Sequence, residues 1–296
     1  MKPQVKIIEC PRDAMQGIKH FIETDRKVRY INSLLRVGFD TVDFGSFVSP
    51  KAIPQMRDTA EVVGRLDMRR MSSKLLAIIA NVRGARDAAG FSQIRYLGYP
   101  FSVSEIFQMR NTAKTIAESV EVLKEILSIA NEAGKETVVY LSMGFGNPYG
   151  EPWSPELVAG WVEKLHDMGV RIMSLSDTIG AAQPETIDYL FRHLIPLYPD
   201  VEFGAHLHTH PVNWYEKVDA AYKAGCRRFD SAIRGFGGCP MAKDELTGNL
   251  PTEKLLNYFA RNGIETGLNM NAFENAYNEA LKVFARPGEK NIFIDG

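Results

Sequence analysis

Eight short apolar or β-branched runs recur along the chain. They are "VKIIEC" (5–10), "TVDFGSF" (41–47), "KLLAIIA" (74–80), "QIRYLGY" (93–99), "TVVYLSM" (137–143), "RIMSLSD" (171–177), "EFGAHLHTH" (202–210) and "RFDSAIRG" (228–235). Most are nearly continuous in apolar residues rather than alternating, the pattern of strands covered on both faces. Amphipathic stretches fill the gaps. "DRKVRYINSLLRVG" (25–38) sets Val28, Ile31, Leu34 and Leu35 at helical spacing. "AESVEVLKEILSIANEAG" (117–134) and "PELVAGWVEKLHDMG" (155–169) end on glycine, and the latter follows Ser154-Pro155, a cap and first-turn pair. "NWYEKVDAAYKAG" (213–225) repeats the theme, whereas "NVRGARDAAGF" leaves room only for a stubby helix. Eight strand–helix alternations over this length predict a (β/α)8 TIM barrel, which takes about 250 residues plus insertions. A doubly wound open sheet has the same periodicity and stays open at this level. No linker or low-complexity segment interrupts the pattern. The expectation is one domain over residues 1–296, with the barrel at about 5–262 and an extra C-terminal helix at about 269–285.

Composition narrows the function classes more than it alters the fold. Of 296 residues, 45% are hydrophobic and 24% charged, enough for a sizeable core. A net charge of −1 gives no general attraction to nucleic acid or anionic lipid, and no apolar stretch approaches the ~20 residues of a membrane span. Three cysteines (Cys10, Cys226, Cys239) are too few and too odd for a disulfide framework. "MKPQVKIIEC" enters its first strand without a signal-like segment, so a cytoplasmic protein with reduced thiols is the expectation.

The reactive residues fall at the ends of the runs, where a barrel of this kind keeps its chemistry. The first run leads into Arg12, Asp13, Gln16 and Lys19, and the second carries Asp43 and leads to Ser46, Ser49 and Lys51. The fifth ends at Ser142 before "GFGNPYG", the sixth at Asp177, and the eighth enters "RGFGGCPMAKDELTGN". The seventh holds "GAHLHTHP", with His206, His208 and His210 at every second position in a chain of only six histidines. That spacing puts all three on one face of a strand, and imidazole is a common ligand of divalent ions. "GFGNPYG" lacks the Lys-Ser/Thr ending of a nucleotide-binding loop.

In order, "PRDAMQ", "SFVSPKAIPQM", "SEIF", "SDTIG", "HLH" and "GFGGCP…TGNLPTE" resemble the motifs of the 3-hydroxy-3-methylglutaryl-CoA lyase family. This is a branch of the metal-dependent lyase and acyl-transferase superfamily built on a TIM barrel, and the likeness runs from about residue 5 to about 260. The resemblance implies a metal set of Asp13, His206, His208 and Asn249, a mixed oxygen/nitrogen set suited to Mg²⁺ or Mn²⁺. It implies that Arg12 holds the thioester carbonyl as negative charge develops, and that Cys239, on a glycine-rich loop, donates or shuttles a proton. Asp43, where the family has glutamate, and Asp177 match its catalytic network, with His206 acting through its neighbours as base. Arg12, Gln16, Lys19 and Ser142 are the expected substrate-binding residues, of which Lys19, like Lys51, matches a family lysine. The implied reaction cleaves the C2–C3 bond of 3-hydroxy-3-methylglutaryl-CoA to acetyl-CoA and acetoacetate. The partner is thus an acyl-CoA, with a homodimer implied by likeness alone.

Several positions depart from the family pattern. Thr209 and His210 follow the second histidine where the family begins with aspartate, Cys10 stands where it has glycine, and the loop from Cys239 to Asn249 is one residue longer. These departures keep alive a lyase of the same chemistry on another 3-hydroxy-acyl-CoA. A Claisen-type synthase acting on acetyl-CoA and a 2-oxo acid would carry a "GER"-type motif in place of "GGCP". A non-catalytic binding barrel would have no reason to keep Arg12, Asp13, His206, His208, Cys239 and Asn249 together.

Overall fold

The eight runs form eight strands: β1 (Lys6–Glu9), β2 (Thr41–Ser46), β3 (Lys74–Ile78), β4 (Ile94–Ser102), β5 (Glu136–Ser142), β6 (Ile172–Asp177), β7 (Glu202–Thr209) and β8 (Arg228–Ser231). The computed structural model describes residues 4–69, 71–238 and 247–285. Every neighbouring pair is parallel, β1 pairs with both β2 and β8, and β6 pairs with β7, which closes the sheet into a barrel. Closure excludes the open doubly wound sheet. The helical stretches lie where periodicity puts them, at Thr24–Leu35, Ile116–Glu132, Pro155–Asp167 and Trp214–Lys223, and the stubby helix is Val82–Ala89. Ser154 caps as expected, its hydroxyl accepting the backbone N–H of Leu157 at 3.2 Å.

Strand alternation divides the buried side chains into two sets. Leu75, Ala77, Val139, Leu141, Met173 and Leu175 join the large core between barrel and helices. Their neighbours Leu76, Ile78, Val138, Tyr140 and Ile172 form a separate cluster inside the barrel. That apolar filling covers β3 to β6 only. On the β7, β8 and β1 side the interior is charged: Glu202 pairs with Lys6 and, at 3.0 Å, with Arg228 at the strands' N-terminal ends. Parallel strands covered on both faces therefore read as apolar runs except where this polar column enters.

The extra helix expected at 269–285 is Met270–Phe284, packed on Thr24–Leu35 through an edge-to-face contact of Tyr30 with Phe284. Among the described residues, helices such as Pro184–Leu197 and Thr252–Arg261 were not named from the pattern, and neither was one strand. Gly248–Asn249 forms a two-residue antiparallel strand, β9, on the end of β7, with Asn249 opposite His208. A two-residue strand has no period to detect, yet it carries Asn249 to the barrel mouth.

Candidate metal and catalytic centre

The site grows from four strand ends. Directly after β1, Pro11 opens the short helix Pro11–Gln16, with proline in the first turn, where its missing N–H costs nothing. Helical spacing then puts Arg12, Asp13 and Gln16 on neighbouring surface. The Gln16 amide bridges the other two: its oxygen accepts Arg12 Nη1 at 3.0 Å and its nitrogen donates to Asp13 Oδ1 at 2.7 Å. From β2, the fully buried Asp43 receives Arg12 Nε at 3.1 Å and Nη2 at 2.5 Å. Burial opposes the guanidinium's charge, but Asp43 and Asp13 outweigh it and raise its pKa. Complete burial pushes Asp43 up to about 6 against the pull of Arg12, so the pair is ionised at neutral pH. A two-point clamp of this kind leaves the guanidinium little freedom to turn.

Asp13, His206 and His208 bring one ligand atom each within 4.8 Å of one another. Each imidazole is fixed from behind. His208 Nδ1 donates to the carbonyl of Thr178 at 2.8 Å, so its lone pair lies on Nε2, and that atom is buried without a partner among the described residues. His206 Nδ1 donates to Asp230 Oδ2 at 3.0 Å. Burial and the neighbouring His206 lower His208 to about 4, which keeps it a neutral donor. Burial pushes His206 down, but its bond to Asp230 and that residue's charge raise it overall. Burial likewise opposes the charge of Asp13, yet Arg12, the two imidazoles and Asn249 hold its carboxyl below the ordinary range. Both hydrogens of the Asn249 amide are engaged, on Asp13 Oδ2 (2.7 Å) and Phe236 O (2.8 Å), leaving only its side-chain oxygen to donate to an ion. A carboxylate, two imidazole nitrogens and an amide oxygen form a donor set suited to a divalent cation. The orphaned lone pair of His208 fits such an ion, since buried polar atoms are normally paired.

Other expected residues lie elsewhere. His210 falls beyond the last residue of β7, where Pro211 follows, and its backbone N–H donates to Asn213; it does not join the cluster. Asp177 faces sideways. Its Oδ2 accepts Lys217 Nζ at 2.6 Å and its Oδ1 the N–H of Ala182, while Lys217 also donates to the carbonyls of Gly180 and His208. It thereby shapes the turn that presents Thr178 O to His208. Ser142 is buried at the end of β5, and Lys19 is exposed without joining the cluster. Cys239 lies outside the described residues.

Three contributors were not read from the sequence. Asp230 lies two residues after Arg228 on β8, a parity signal that could have been taken. Lys217 and the Thr178 carbonyl had none, because a lysine inside a helical pattern reads as surface and a backbone oxygen has no letter. Cys10, which stands where the family has glycine, is buried with its sulfur close to His206 and Asp230.

The HMGL-like family model matches residues 4–279. The chain is 35% identical over 270 residues to the mitochondrial hydroxymethylglutaryl-CoA lyase of Bos taurus, covering 90% of this chain and 82% of that one. It is 33% identical to a 3-hydroxy-3-isohexenylglutaryl-CoA/hydroxy-methylglutaryl-CoA lyase of Pseudomonas aeruginosa, over 96% of this chain and 94% of the relative. Among solved structures, the HMG-CoA lyase of Bacillus subtilis superposes with a TM-score of 0.89 at 30% identity, covering 98% and 97% of the two chains.

Proposed function

Given that the chain belongs to the HMGL-like family, we propose that it is a divalent-metal-dependent carbon–carbon lyase cleaving 3-hydroxy-3-methylglutaryl-CoA to acetyl-CoA and acetoacetate. The observation that carries the reading is the Asp13–His206–His208 cluster, with Asp13 and His208 buried and the His208 lone pair unpartnered among the described residues, next to a guanidinium clamped by Asp43 at the barrel mouth. We take the whole chain as one catalytic unit, with a cytoplasmic homodimer as part of the same proposal.

Asp13, His206, His208 and the side-chain oxygen of Asn249 would hold Mg²⁺ or Mn²⁺. When bound, the ion supplies Lewis-acid polarisation and lowers the pKa of the substrate's tertiary hydroxyl. That proton is assigned to His206 acting through its neighbours as base, and the new carbonyl forms as the C2–C3 bond breaks. The bonding pair passes to the thioester side as an enolate, which needs a positive partner at its oxygen. Arg12 is that partner. Its head is locked by Asp43, Asp13 and Gln16 before substrate arrives, so little reorganisation is required as charge develops. Cys239 is assigned the return of a proton to the enolate carbon, with Gln16, Lys19 and Ser142 on the substrate side. Asp177 acts through Lys217 and the 178–180 turn on His208.

No specific observation favours a Claisen-type synthase or a non-catalytic barrel. The test is acetoacetate release from 3-hydroxy-3-methylglutaryl-CoA with Mg²⁺ or Mn²⁺ and a reductant. Turnover is expected to vanish with EDTA and in His206→Ala, and to fall steeply in Cys239→Ala. Absence of turnover in metal-loaded enzyme would overturn the proposal.

A further inference from the structure

The polar column inside the barrel does more than close its floor. Register aligns Tyr140, Ser174, Gly204 and Arg228 in one row across β5 to β8, and His206 with Asp230 in the row above. Arg228 is 1% exposed, lies over the ring of Tyr96 at 5.9 Å, and spends Nη1 on Glu202. Gly204 makes space for it, since a Cβ there would meet Arg228 Cδ at 3.0 Å. Nε and Nη2 of Arg228, Oδ1 of Asp230 and the Tyr140 hydroxyl are all buried without a hydrogen-bond partner among the described residues. Desolvation opposes the charge of Arg228, but Asp230, Tyr140 and Glu202 raise its pKa, so a fixed positive charge lies one row below Asp230. So costly a buried charge, facing an apolar filling of Leu76, Ile78, Val138 and Ile172 across the barrel, calls for a use.

We propose that Asp230 is a positioning residue for the metal centre, holding His206 in the tautomer that turns a bare Nε2 toward Asp13 and His208, with Arg228 as its counter-charge. The geometry requires little more. Asp230 Oδ2 lies 3.0 Å from His206 Nδ1 and also accepts Ser174 Oγ at 3.4 Å; a carboxylate oxygen fixed as an acceptor favours the imidazole proton on Nδ1. Tyr140 meets the His206 ring edge-on at 84°, limiting rotation about the same bond. The two imidazoles are thus fixed by different means: His208 by a backbone carbonyl, His206 by a charged side chain that substitution can reach. The inference rests on the metal reading of Asp13, His206 and His208, and its test separates the two.

The experiment measures Mn²⁺ affinity of the full chain, without substrate, by calorimetry and paramagnetic resonance. Wild type is compared with His208→Ala and Asp230→Asn, each checked for native circular dichroism. Asp230→Asn removes the negative charge that holds the proton on His206 Nδ1 and puts an NH₂ donor within reach of that nitrogen. Affinity should fall by roughly 10–100-fold in Asp230→Asn, as for loss of an outer-shell partner. Unchanged affinity in a folded Asp230→Asn would overturn the inference while leaving the metal reading intact. Failure of wild type to bind Mn²⁺ would overturn the metal reading, and the inference with it. A second measurement needs no variant of Asp230. ¹⁵N-histidine spectra of the metal-free wild type at alkaline pH, with His206 assigned through His206→Gln, should show Nδ1 protonated and Nε2 bare. An Nε2–H His206 would refute the proposal.

Discussion

Glu9 ends β1 four residues before Asp13, fully buried, and offers a sharp test of how burial sets charge in this barrel. Its Oε1 accepts the backbone N–H of Ile233 at 2.9 Å, and its Oε2 lies 2.6 Å from the Thr252 hydroxyl, which is itself 3.0 Å from Ser231 Oγ. Desolvation raises its pKa from 4.5 to about 8, more than its hydrogen bonds to Thr252 and Ile233 lower it. At neutral pH the side chain is therefore a neutral acid. Its O–H can donate to Thr252, whose own hydroxyl turns to Ser231. Because the folded pKa lies above the unfolded one, the native state keeps a proton that the unfolded chain loses between pH 4.5 and 8. The stability contribution is fully present below 4.5, is lost as pH rises through that window, and is gone above 8. At about 1.4 kcal/mol for each pH unit the whole loss is about 5 kcal/mol, a large fraction of the roughly 5–15 kcal/mol of a typical domain. Glu9→Gln reproduces the neutral acid's hydrogen bonds and cannot ionise. Urea unfolding followed by tryptophan fluorescence from pH 5 to 8.5 should find the two proteins within about 1 kcal/mol near pH 5. The variant should then gain several kcal/mol over wild type by pH 8.5. Parallel profiles, or a wild type that gains on the variant as pH rises, would refute the reasoning.

Three further substitutions follow from particular contacts. Arg12→Lys leaves Asp43 without its two-point partner and should lower kcat/KM by roughly 10²–10³-fold, as for loss of one preorganised donor, in steady-state assays. An effect under threefold would remove Arg12 from its assigned role. Lys217→Met strands the buried Asp177 carboxylate and should cost about 3–5 kcal/mol in chemical denaturation. Adding Asp177→Asn should recover part of it, and strict additivity would show the pair to be uncoupled. At Gly237 the backbone has φ 85°, and a Cβ would lie 2.6 Å from the carbonyl of Asp13 and 2.9 Å from Asn249 Nδ2. Gly237→Ala should therefore weaken Mn²⁺ binding together with turnover; normal affinity would mean that this segment yields without moving Asp13.

The barrel was legible because burial on both faces writes continuous apolar runs, and all eight became strands within a few residues of their expected limits. Asp13, His206, His208 and Arg12 were legible because they end or follow such runs, where parallel barrels concentrate polar groups. Two limits were physical. The alternation that promised three coplanar histidines holds only while the strand lasts, and β7 ends at Thr209, one residue before His210. Asp177 has an apt type and place, but its direction depends on Lys217, 40 residues away and hidden within a helix. Asp230 and Arg228 show the converse. Charged residues in an interior row look like surface until closure of the barrel shows that no surface is there.

The central claim is that this centre cleaves 3-hydroxy-3-methylglutaryl-CoA by metal-dependent chemistry. The most direct measurement is acetyl-CoA formation by one Mn²⁺-loaded preparation from that thioester and from its 3-isohexenyl homologue, compared as kcat/KM. The account predicts stoichiometric acetyl-CoA and acetoacetate from the methyl substrate, abolished by EDTA, with the longer homologue cleaved less efficiently. Cleavage of the homologue alone, or turnover of the methyl substrate that survives EDTA, would contradict it.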